Sequence, residues 1–161
     1  MGIVRPHLWY SDNALEAAEF YVSVFPNSRI LDVVHAPADM PGVTKGAPFV
    51  VTFELDGQRV DAISAGPSLQ LDAAFSFVVD CADQAEIDHY WDALLAGGGQ
   101  EAACGWLTDR FGLSWQVVPT RLMELTLSPD ADPEGAARAT QVMLTQKKLD
   151  IAALEAAYRG E

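Results

Sequence analysis

Along most of the chain apolar and polar residues alternate with the period of a strand, and twice the alternation gives way to helical spacing. The run IVRPHLWY (3–10) reads as a strand. SDNALEAAEFYVSVF follows, with Ala14, Ala17, Ala18, Tyr21 and Val22 on one helical stripe behind an Asp12 or Asn13 cap. Three strands come next: SRILDVVHA, PFVVTFEL beyond a loop rich in Pro and Gly, and QRVDAIS, entered through the hairpin signal Asp56-Gly57. The first half predicts β-α-β-β-β.

The order then recurs. AFSFVVD reads as a strand, and DQAEIDHYWDALLAGGG as a helix with Ile87, Tyr90, Trp91, Leu94 and Leu95 on one stripe and glycines beyond its end. QEAACGWLTD and LSWQVVP supply further strands around a turn at Phe111-Gly112. Asp12 and Asp83 begin the two helices, Phe20 and Trp91 fall at the same offset, and aligning Gly57 with Gly112 sets Asp61 opposite Gln116. The reading is one α+β domain of two βαβββ modules, 1–68 and 69–120, whose curved mixed sheets surround a cup. A helical extension, 121–161, starts a helix at Asp132-Pro133-Glu134 and stops at Gly160, giving two short helices packed on the repeat or on a partner subunit.

Strand alternation then separates the faces. Val4, Leu8, Tyr10, Val51, Phe53 and Leu55 are expected against the first helix, with Arg5, His7, Trp9, Thr52 and Glu54 on the other side. In the second module Phe75, Phe77, Val79, Trp115 and Val117 should meet the helix, leaving Ala74, Ser76 and Gln116 on the open side. The expected pocket lining is Arg5, His7, Trp9, Thr52, Glu54, Asp61, Ser76, Cys104, Trp106 and Gln116, a mixture of aromatic and polar groups that suits a small molecule.

Charge narrows the partners. Ten basic against 23 acidic residues give a net charge of -13, which disfavours nucleic acid and anionic membranes and favours neutral or cationic ligands, although a local group such as Arg5 can override it. No apolar run is long enough for a membrane span or a signal peptide, and Cys81 and Cys104 form no framework, so a cytoplasmic setting is expected.

The blocks LWYSDNALEAAEFYVSVFPNSRI, FELDGQ, FSFVVDCADQAEIDHYWDAL and ACGWLTDRFGLSWQVVP resemble the PhnB-like branch of the vicinal oxygen chelate superfamily, a branch whose members carry the label 3-demethylubiquinone-9 3-methyltransferase. The resemblance implies the paired-module fold, a homodimer and a small-molecule site. Metal-using members of that superfamily present ligands from the first, fourth, fifth and eighth strands, which here correspond to Arg5 to His7, Asp61, Ala74 and Gln116. Ala74 offers no donor, so the expectation is metal-independent sequestration with no cofactor. The alternative is a lyase, isomerase or oxygenase with a divalent metal ion on His7, Asp61 and Gln116.

Cys104 is read as a buried core residue against the alternative of a thiolate paired with His7. Trp9 and Trp106 either stack on a flat ligand or fill the cup themselves. Asp61 and Glu54, if turned inward, would be desolvated and their pKa values raised. No strand leads through a glycine-rich loop into a helix to seat a nucleotide-like cofactor, so the methyltransferase label is taken as a name without that mechanism behind it.

Overall fold

A computed structural model describes residues 3–161. Two compact units emerge, Met1–Asp72 and Ala73–Glu161, each built on a four-stranded mixed sheet. In the first unit β1 (His7–Tyr10) leads to α1 (Ala14–Val24), β2 (Arg29–His35), β3 (Pro48–Leu55) and β4 (Gln58–Ser64). The sheet order is β1-β4-β3-β2, with β1 and β4 parallel and the other pairs antiparallel.

The hairpin signal acts as expected: Asp56 and Gly57 both take positive φ, 46° and 79°, the twist a two-residue β3–β4 turn requires. Helix α1 presses Ala14, Ala17, Ala18 and Tyr21 onto the sheet, where Leu8, Tyr10, Val51, Phe53, Val60 and Ala62 complete the core. The Tyr10 and Tyr21 hydroxyls meet at 2.9 Å. Asn13 occupies the cap position, but its side chain makes no capping bond; the Ala14 N–H donates instead to Ser64 Oγ at 3.0 Å, so β4 caps the helix.

The second unit repeats the order with β5 (Ser76–Cys81), α2 (Gln84–Leu95), β6 (Gln100–Glu101), β7 (Trp106–Thr108) and β8 (Ser114–Pro119), in sheet order β5-β8-β7-β6. Asp83 caps α2 by accepting from the Glu86 N–H at 2.9 Å, while Glu86 accepts from the Ala82 N–H at 2.7 Å. Ile87, Trp91 and Leu94 are buried against Val79, Leu107, Trp115 and Val117.

Three strand-edge expectations are corrected. β1 begins only after Pro6, which has no N–H to give a ladder, so Val4 is 88 % exposed and does not meet the helix. β5 begins at Ser76, leaving Ala74 and Phe75 outside it, and Phe75 is 43 % exposed. QEAACGWLTD is two short strands around a turn, because Cys104 and Gly105 both take positive φ and send their N–H groups to the carbonyls of Gln146 and Lys147, 2.8 Å away in each case.

The extension holds three helices where two were expected: α3 (Thr120–Thr126), which follows directly from β8, then α4 (Pro133–Met143) and α5 (Ile151–Arg159). Asp132 caps α4, and Gly160 ends α5 at φ 80°. Leu125, Leu149 and Leu154 form their common core with Val118 and Leu122 alongside, so the extension packs on its own module. Gln84 of α2 clamps it there, its amide donating to the Leu149 carbonyl and accepting from the Ile151 N–H, both at 3.0 Å. A Cβ on Gly135 would lie 2.8 Å from the Tyr158 carbonyl oxygen, which is why α4 and α5 can approach so closely at that point. No helix among the described residues is long and apolar enough to cross a membrane.

Candidate functional site

In the first sheet the strands that bury Val51, Phe53 and Val60 under α1 must turn every second residue to the open face. The register fixes the rows there. His7, Asp61, Thr52 and Asp32 lie side by side across the four strands; Trp9, Ile63, Val50 and Val34 form the next row; Arg59, Glu54 and Arg29 form the row on the other side. His7, Trp9, Thr52, Glu54 and Asp61 lie on this face, and Arg5, ahead of β1, reaches it through Asp61.

Asp61 is the centre of it. Only 4 % exposed, its carboxylate accepts from Arg5 Nε and, at 2.8 Å, from the Thr52 hydroxyl, and Arg59 Nε stands 3.8 Å away. Burial pushes its pKa up, but the hydrogen bonds from Arg5 and Thr52 and the charges of Arg5 and Arg59 outweigh that and leave it below the ordinary carboxylate value. The expected rise is thus reversed. Glu54 pairs outward, with Arg29 Nε 3.0 Å from its Oε2. His7 is exposed, and Trp9 is anchored by its indole N–H donating to the Gly66 carbonyl at 2.9 Å. Gly66 can sit there because Gly42 crosses it without a side chain; a Cβ on Gly42 would stand 2.6 Å from the Gly66 Cα.

The second sheet arranges its open face differently. Gln116 is flanked by Val78 on β5 and Trp106 on β7, and its amide donates to Ser76 Oγ at 3.0 Å. Ser76, Trp106 and Gln116 therefore share a surface. Cys104 is half-buried in the turn before β7 and lies in no strand. Cys81, fully buried, has its thiol pushed up to about 12 by burial and by the carboxylates of Glu86, Asp80 and Asp83.

The register also corrects the ligand correspondence. As His7 lies beside Asp61, so Val78 lies beside Gln116. Val78 occupies the fifth-strand position assigned to Ala74 from sequence, four residues away, and it too lacks a donor. The Asp61 oxygens accept from a guanidinium and a hydroxyl, the Gln116 amide nitrogen donates to Ser76, and among the described residues no three His, Cys, Asp or Glu side chains converge.

Sequence reasoning missed two groups. Asp109, 4 % exposed, accepts from the Phe111 N–H at 2.8 Å, the Leu113 N–H at 3.1 Å and the Trp115 indole at 2.8 Å, and so organises the turn before β8. The Asp-x-x-Gly spacing at 109–112 carried that signal. Arg59 alternates with the apolar Val60 and shares Asp61's side of β4, which the strand period alone reveals.

Two βαβββ units, each closed by a parallel pairing of first and last strand, define a protein of the glyoxalase, bleomycin resistance and vicinal oxygen chelate superfamily. Within it the chain belongs to the PhnB-like family described as 3-demethylubiquinone-9 3-methyltransferase, whose family model matches residues 3–118. A PhnB protein from Bacillus cereus bearing the same description is similar at 27 % identity and TM-score 0.66, covering 74 % of this chain and 100 % of its own. Protein PA1353 from Pseudomonas aeruginosa is 19 % identical at TM-score 0.61, over 74 % and 98 %. The fosfomycin resistance protein FosX from Listeria monocytogenes shares the fold, at 18 % identity and TM-score 0.54 over 76 % and 94 %. The chain has no match among curated proteins.

Proposed function

We propose that this protein binds a small organic molecule on the open face of its first sheet and sequesters it without a metal ion, as a cytoplasmic homodimer. The observation that carries the reading is the engagement of Asp61. The one carboxylate in the candidate ligand set is already neutralised by Arg5, and a cation would have to displace both that guanidinium and the Thr52 hydroxyl. Trp9, held rigid by Gly66, supplies a flat apolar surface next to the hydrogen-bonding row, which is what recognition of a planar molecule needs. Exposed Met123 and Leu127 on and just after α3 support self-association, and two free cysteines support a reducing compartment. The glycines at 97 to 99 follow α2 and cannot cradle a nucleotide ahead of a helix, so the family's description is read as a name for the chain's relatives and not for its reaction.

Metal analysis of protein purified without chelators tests this, followed by thermal melts with Ni²⁺, Zn²⁺, Mn²⁺ and Fe²⁺. The expected outcome is substoichiometric metal and no metal-dependent rise in Tm. About one ion per chain, lost in His7→Ala, would replace this reading with metal-dependent catalysis. Light scattering should give twice the chain mass.

A further inference from the structure

Three cations stand on or beside the open face of the first sheet, and two of them have a carboxylate within 3.0 Å of Nε. Arg5 bonds to Asp61 and Arg29 pairs with Glu54. Arg59 lies between these pairs, directly opposite Glu54 in the register and on the same strand as Asp61, yet Glu54 turns to Arg29 and the Asp61 oxygens are taken by Arg5 and Thr52. Its Nε is buried without a hydrogen-bond partner and stands 3.8 Å from Asp61 Oδ1, while the side chain remains 39 % exposed. Arg59 thus turns its buried inner N–H toward Asp61, beyond hydrogen-bond distance, and brings the rest of its guanidinium to the surface, where such a planar group can hold an oxyanion with two parallel bonds.

We infer that Arg59 is the binding point for an oxyanion, carboxylate or phosphate, carried by a small molecule whose apolar part lies on Trp9. The rows order the site: Arg59 at the charged edge, His7 and Thr52 in the middle, Trp9 and Ile63 at the apolar edge. The acidity of the whole chain does not oppose this, because charges beyond about 8 Å are screened at physiological salt and Arg59 acts at contact. Asp32, at the outer strand of the hydrogen-bonding row, places its negative charge two strands away from Asp61, across Thr52. The inference rests on the small-molecule reading above and gives its ligand a charge.

Calorimetric titration of the full chain at neutral pH with benzoate, phenyl phosphate and the neutral benzamide tests it, with Arg59→Gln, Arg59→Lys and, as a distant control, Arg138→Gln. At least one oxyanion should bind about tenfold or more tighter than benzamide, lose that advantage in Arg59→Gln and keep part of it in Arg59→Lys, with Arg138→Gln unchanged. Whichever oxyanion binds tighter names the headgroup. Equal affinity for benzoate, phenyl phosphate and benzamide, or oxyanion affinity unchanged in Arg59→Gln, overturns the inference while leaving the small-molecule reading in place. Absence of binding by all three probes at millimolar concentration overturns it as well, and only the metal analysis then decides the reading beneath it. Arg59→Lys preserves the test if Arg59→Gln melts early.

Discussion

The two repeats differ most where they are least constrained by packing. Both bury an amphipathic helix on a four-stranded sheet, and both close by pairing the first strand with the last in parallel. Their open faces have parted. The first carries a lattice of arginines and carboxylates around Asp61, whereas at the matching place the second has Val78, Gln116 and Trp106, with the Gln116 amide donating to the Ser76 hydroxyl. Duplication holds the buried side to apolar residues of similar size, because any polar group placed there is stranded without a partner. The other side is free to acquire chemistry, and the arginine–carboxylate lattice lies on the first copy.

That contrast can be broken at the second repeat first. Asp109→Ala removes the acceptor of three N–H groups at once, two of them in buried bonds, and should cost about 3 kcal/mol or more, measured by denaturant unfolding; among the described residues no comparable carboxylate serves the β3–β4 turn, so Asp56→Ala should cost far less. A smaller effect is expected at Asp61, roughly 1–2 kcal/mol for Asp61→Asn near neutral pH. Its folded pKa lies below the ordinary 3.8, so the stabilisation is present above that value and is lost as the pH falls through the folded one. Stability curves of wild type and Asp61→Asn should therefore converge in acid. Parallel curves would show that the carboxylate is not held by its cations. The smallest effect belongs to the clamp: Gln84→Ala should cost about 1 kcal/mol and raise hydrogen exchange in α5 and around Leu149, with first-repeat amides unchanged.

Much of this was legible in the chain because it obeys simple periods. The strand alternation of PFVVTFEL, the Asp-Gly turn and the small-residue stripe of α1 all act within a few residues, and the structure places Val51, Phe53, Ala17 and Ala18 as that logic requires. The errors gather at strand ends, where apolar residues such as Val4 and Phe75 continue the pattern past the last ladder bond. Helix α3 was missed because it starts without a break after Pro119. The candidate face was half visible: alternation could say that Arg5, Thr52 and Asp61 share a side, but not that Asp61 would be held by Arg5 and Thr52, leaving the inner N–H of Arg59 without an acceptor. Partner choice among several opposite charges depends on side-chain reach across neighbouring strands, which no spacing encodes.

Gln84 reaches partners that are 65 and 67 positions further along the chain. During synthesis the whole of the first repeat leaves the ribosome before those partners exist, so it can collapse on its own contacts. The first turn of α2, which carries Gln84, gains these bonds only once Ile151 has emerged. The two halves, alike in outline, are thereby given different birthdays: an early one for the half that carries the charged lattice, and a late one for the half that receives the chain's last helices.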